Sequence, residues 1–179
     1  CMPLSLVGVV YTADGRQIDI SIGEDPDDPV LFINDLLPHL GKDQAAKKLG
    51  EAITGEMLMP LVGTYSEEEK TKPQILELLR EKYGITEEDF TSAELEIIPA
   101  QKSREVGLDR SLLMSHGHDD RVCSYGNLAA ILSAAPGAKT QVALFADKEE
   151  IGSVGNTGVH SSYFLDFTAE MLALQGRTE

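Results

Sequence analysis

The first third of the chain reads as β, in short runs rich in β-forming apolar residues. "LSLVGVVY" (4–11) and "QIDISIG" (17–23) read as β-strands. They are joined by "TADGR", in which Asp14-Gly15 is a hairpin signal. "DPVLFI" (28–33) reads as a third short strand, and "NDLLPHLGKD" (34–43) as a helical turn with Asn34 as N-cap and Gly41 as its stop. The middle of the chain is helical. In "YSEEEKTKPQILELLREKYG" (65–84), Ser66 and Glu69 make a capping box, and Ile75, Leu76, Leu78, Leu79 and Tyr83 form one apolar stripe. Pro73 moves the expected start to about Lys72, and Gly84 ends the helix. "AELEIIPA" (93–100) alternates and returns to β.

After Gly107 the pattern changes character. "SLLMS" (111–115) is a short strand candidate, and "SYGNLAAILSAA" (124–135) a helix of small and apolar residues. "TQVALFAD" (140–147) is a continuous apolar run, as in a strand covered on both faces. "SSYFLDFTAEMLALQ" (161–175) has the 3.6-residue period of an apolar helix. Strand, helix, strand, helix is the α/β order. Two units are expected: a mixed α+β piece over 1–106 and an α/β piece over 107–179.

Composition narrows the function classes. Of the 179 residues, 42% are hydrophobic and 25% charged, which suits a soluble globular protein. The formal net charge of −15 argues against nucleic acid or an anionic membrane as partner, because both select clustered Lys and Arg. The acid excess sits largely in "GEDPDD", "SEEEK" and "TEED", most simply solvated loops or helix starts. No apolar run reaches the ~20 residues of a membrane span, and no basic-then-apolar leader opens the chain. Cys1 and Cys123 alone make neither a disulfide framework nor a thiolate zinc site, so a reducing cytoplasm is expected. Cys123 is read as a buried, inert thiol. The chain enters directly on a strand and stops soon after a helix, so it is expected to be a piece of a longer polypeptide.

Two acidic clusters fall in the second piece. "HGHDDR" (116–121) lies before a helix, and "DKEE" (147–150) ends the apolar run. Open α/β sheets bind ligands beyond the carboxyl ends of their strands, so both clusters are expected at one edge. Converging carboxylates raise each other's pKa unless a cation sits among them. Two divalent metals would offset that charge, polarise a carbonyl and activate a water, with a neighbouring glutamate taking the proton. The plain alternative is a solvated acidic surface. His116, His118, Asp119 and Asp120 could also form a crowded local metal site. Gly152, Gly155 and Gly158 either allow a tight turn or, less simply, wrap a phosphate that Glu149 and Glu150 would repel. Taken alone, His39 is a surface histidine and His160 a capping or packing residue.

Four segments resemble one known family. "DKEEIGS" (147–153) is similar to the Asp-Asn-Glu-Glu-Val-Gly-Ser motif of the aspartyl aminopeptidase/aminopeptidase I family of co-catalytic zinc metallopeptidases. "GHDDRVCSY" (117–125) resembles the segment around that family's metal-bridging aspartate. "PLSLVGVV" (3–10) and "INDLLPHL" (33–40) resemble the start and the histidine-bearing part of its lid, or dimerisation, domain. The resemblance implies an α+β lid domain over 1–106, followed by part of an α/β, mixed-sheet catalytic domain over 107–179. It implies Asp120 as the residue bridging two zinc or other divalent ions, Glu150 as a terminal ligand and Glu149 as general base. His39 would reach the substrate in a neighbouring subunit. Lys148 stands where Asn is commoner, and Arg121 follows the bridging position where many members have Asn. The family's upstream His-x-Asp motif and its downstream Asp and His ligands have no counterpart here. The expectation is a peptide-hydrolysing parent that forms homo-oligomers through the lid, and a chain that alone is inactive and binds zinc weakly or not at all. The competing expectation is a dimerisation module whose acids are inert.

Overall fold

The computed structural model describes residues 2–64 and 71–177. The capping-box pair Ser66 and Glu69 lies outside the described residues. The chain divides into two units, Cys1–His116 and Gly117–Glu179.

The first unit is built on an antiparallel sheet of order β2-β1-β5, from β1 (Leu4–Tyr11), β2 (Gln17–Ile22) and β5 (Ala93–Pro99). The Asp14-Gly15 turn joins β1 to β2, as its hairpin chemistry predicts, and Val10 pairs with both Ile18 and Ala93. Alternation places Val10 and Ile20 inward, and both are buried with Ile85. Gly84 ends helix α3 (Thr71–Tyr83) with a positive φ of 70°, so the next residue, Ile85, turns back into the core. Leu79, Tyr83, Phe90 and Leu95 pack around it. Leu78, assigned by periodicity to the apolar stripe, is exposed.

The helical turn expected over 34–43 is confined to Leu37–Gly41. Leu37 closes a turn with Leu40 and Gly41, and Gly41 precedes helix α1 (Lys42–Ala45) instead of ending one. Pro38 explains this: it lacks an N–H and disfavours helical backbone at Leu37. The third strand shortens to β3 (Phe32–Ile33), which pairs with β4 (Pro60–Leu61). Between them lie α2 (Leu49–Ala52) and a 3-10 turn, Gly55–Met57, both too short to show a period. The strand expected over 111–115 is β7 (Leu112–Met114), paired with β6 (Arg104–Val106). The first unit takes in this hairpin and ends at His116.

Helix α3 is tied to the sheet by polar contacts at its C-terminal end. Tyr83 Oη donates to the Ser21 carbonyl at 2.6 Å, and Lys82 Nζ lies 3.0 Å from Asp28 Oδ1. The Lys82 hydrogen bond, and then the Gly23 N–H, hold the Asp28 carboxyl below its ordinary range. A depressed folded-state pKa stabilises above the unfolded value and stops doing so as pH falls through the folded value. Asp28→Asn is therefore expected to lower the melting temperature near neutral pH. That difference should shrink as the solution is acidified through and below the carboxylate range, followed by circular dichroism. A variant equally destabilised at every pH would show that the charge is not what holds α3.

In the second unit, α4 (His118–Ser133) and α5 (Tyr163–Leu174) are the helices among the described residues. Helix α4 begins six residues before the 124–135 pattern, directly at His118. The apolar run 140–147 forms no ladder with any described strand. Its contact with α4 is an Asn127 Nδ2 bond to the Leu144 carbonyl at 2.8 Å. Val142 and Phe145 are exposed, so their apolar character has no cover among the described residues.

Candidate active site

The first turn of α4 and a single 3-10 turn, Glu149–Ile151, supply the acids. Asp119 and Asp120 occupy the positive end of the α4 dipole, where carboxylates are favoured. Gly117, with φ 70°, turns the chain into that helix. Lys148, also left-handed at φ 60° and ψ 30°, turns it into Glu149 and Glu150. Gly152 closes the 3-10 turn at φ 97°, a conformation that a side chain resists. Gly158 serves a different need. A Cβ there would fall 2.2 Å from the Ser153 carbonyl oxygen, so the loop folds onto itself only with glycine. The Gly-rich stretch is thus a closed turn, as its simpler reading expects.

The two clusters meet at Glu150. Its pKa is raised, first by the Asp119 charge, then by Glu149, by burial and by Asp120, and it shares a hydrogen bond with Asp119. Every one of these influences favours its protonated form. Cys123, one helical turn after Asp119, donates from Sγ to Asp119 Oδ1 at 3.7 Å. Partial burial of its sulfur, and then the charges of Asp119, Asp120 and Glu149, push the thiol pKa up. Cys123 is thus kept protonated, but it is exposed and not buried as expected.

The resemblance gives Asp119 no role, yet its charge is the largest influence on Glu150. Neighbouring helix residues point to different faces. The Asp119 charge is the largest influence on Glu150, whereas a Cβ built on Gly117 would meet Asp120 Oδ2 at 3.7 Å and Arg121 Nη1 at 3.2 Å. The signal available in the sequence was Cys123, four residues after Asp119 on the same face.

Carboxylate oxygens are suitable donors for a divalent cation, and the crowding at Glu150 is the kind a cation relieves. The set is nevertheless incomplete. Among the described residues, no group of three or more His, Cys, Asp and Glu is arranged to hold a metal ion. The local His116, His118, Asp119 and Asp120 site is therefore not formed. His39 lies in the first unit, exposed on the turn after Pro38.

The sequence matches the family profile described as "Aminopeptidase I zinc metalloprotease (M18)" over residues 2–179. The chain belongs to the M18 aminopeptidase family. It is 49% identical over 179 residues to the probable M18 family aminopeptidase 1 of Thermotoga maritima, covering 98% of this chain and 39% of that protein. It is 26% identical over 201 residues to the aspartyl aminopeptidase of Caenorhabditis elegans, covering 98% of this chain and 42% of that one. The crystal structure of the Thermotoga maritima M18 aminopeptidase superposes with a TM-score of 0.77 over 98% of this chain and 39% of that one. Aminopeptidase I from Clostridium acetobutylicum gives 0.75 at 39% identity, over 97% and 39%. The M18 chain described here thus spans about two fifths of the length of these relatives. No helix among its described residues is long and apolar enough to cross a membrane.

Proposed function

We propose that this chain is part of a zinc aminopeptidase that removes single residues from peptide N-termini. The observation that carries the reading is the meeting of Asp119, Asp120 and Glu149 at Glu150. Bound zinc would polarise the scissile carbonyl and lower the pKa of water. In this reading Glu149 takes the proton from the attacking water. Glu150 and an α4 aspartate hold metal, with Asp119 better placed for this than Asp120. Asp119 and Glu150 alone fall short of the three or four ligands of a working zinc site. The isolated chain is therefore proposed to be inactive and to bind zinc weakly or not at all. Two zinc ions per subunit of the whole protein and a cytoplasmic location belong to the same proposal. The decisive assay is release of N-terminal residues by the whole protein, lost on chelation and restored by zinc. A whole protein indifferent to chelators would sink it.

A role in assembly has its own support. Leu36, Leu40, Leu49, Ile53 and Met59 are all exposed along one stretch of the first unit. Apolar side chains so placed favour burial against a partner. We place a homo-oligomer interface there, within the proposed lid domain over 1–106, with His39 reaching a neighbouring subunit's active site. Mixing inactive His39→Ala and inactive Glu149→Gln subunits of the whole protein should restore part of the activity. A mixed dimer then pairs one intact His39 with one intact Glu149. Mixtures that co-assemble and stay inactive would rule out the in-trans role.

A further inference from the structure

A clasp closes the loop that carries Glu149 and Glu150, and the catalytic reading above does not use it. Thr157 Oγ1 donates to Asp147 Oδ2 at 2.7 Å. The Asp147 N–H donates back to the Thr157 carbonyl at 3.3 Å. Two residues ten positions apart are thus joined twice, by side chain and by backbone. Lys148 Nζ lies 3.9 Å from the same Asp147 Oδ2, and the Lys148 side chain is only 11% exposed. Within the clasp the chain folds back on itself. The Ser153 N–H donates to the Lys148 carbonyl at 2.8 Å, and the His160 N–H to the Ser153 carbonyl at 3.3 Å. Gly158 packs directly on Ser153. The left-handed residue at the mouth, Lys148, is the one that aims the next two side chains. A non-glycine residue holds that conformation only where its surroundings over-determine it, and the clasp supplies that restraint.

We propose that Asp147 and Thr157 are positioning residues that hold the Glu149–Glu150 turn in register with α4, with Lys148 as the charge partner of Asp147. The proposal rests on the reading of Glu149 as base and Glu150 as ligand. Neither clasp residue touches substrate; both act through the turn. A displacement of about 1 Å at a reacting group can cost on the order of 10²-fold in rate.

The test compares Thr157→Val, which keeps shape and removes the hydroxyl, with Thr157→Ser, which keeps the hydroxyl. In the whole protein, Thr157→Val is expected to lower kcat by about 10-fold or more with KM within about twofold, and Thr157→Ser to recover most of it. In metal-free protein, Thr157→Val should speed amide hydrogen exchange at Asp147 and Ser153 while α4 and α5 keep their protection. Normal kcat with normal exchange overturns the proposal. So does a kcat loss that serine does not rescue, or exchange that rises through both helices alike. Glu149→Gln is run beside them. If it turns over normally, the catalytic reading fails, and the exchange data still decide whether the clasp holds the turn.

Discussion

Glu149→Gln is expected to lower the kcat of the whole protein by about 10² to 10⁴-fold, the range for a lost general base. An amide has nearly the shape of the carboxylate and fills the same place in the 149–151 turn. It cannot accept the water's proton. Because Glu149 is assigned as base and not as ligand, zinc content should stay at the wild-type level. KM should change little, since the interaction removed is made in the transition state. Steady-state kinetics on a peptide substrate, with metal analysis of the same preparation, checks both halves. A variant with near-normal kcat would remove the base assignment. A variant that loses zinc together with rate would make Glu149 a ligand instead.

The turn that carries Glu149 and Glu150 was readable from the sequence because its signal is local. Two glutamates at the end of an apolar run, followed by glycines, already mark a sharp turn with acids at its mouth. The β1–β2 hairpin was legible for the same reason, since Asp14-Gly15 and the β-rich runs on either side act over a few residues. Ile85 was not legible. It sits outside every periodic segment, and only the positive φ of Gly84 sends it into the core. The helical turn expected over 34–43 shrinks to Leu37–Gly41, because Pro38 disfavours helical backbone before it. β3, β4 and β6 were shortened or missed, because strands of two or three residues carry no period.

The apolar run 140–147 is a different case. Continuous hydrophobicity reports burial on both faces, and burial depends on neighbours that the run does not itself contain. Among the described residues those neighbours are absent, and the run forms no ladder. The pairing of Glu150 with α4 is likewise non-local. Sequence spacing can place two acid clusters at one edge, but the choice between Asp119 and Asp120 is a rotation of about 100° around a helix. The resemblance points to Asp120, whereas the influence of the Asp119 charge on Glu150 is the larger of the two.

Asp119→Asn and Glu150→Gln in the whole protein are expected to lose zinc as well as rate, whereas Asp120→Asn should keep more of both. Asp119 and Glu150 share a hydrogen bond, so a cation bound at one carboxylate lies within reach of the other. Removing a ligand should weaken zinc by more than the about 10 to 100-fold typical of an outer-shell partner. Asp120 Oδ2 lies over Gly117, and its loss should resemble such an outer-shell change. Zinc titration against a competing chelator ranks the three variants directly. Equal loss in both aspartate variants would mean that the two share the metal. A larger loss in Asp120→Asn would return the bridging role to Asp120, and would require α4 to turn its first residues when metal binds.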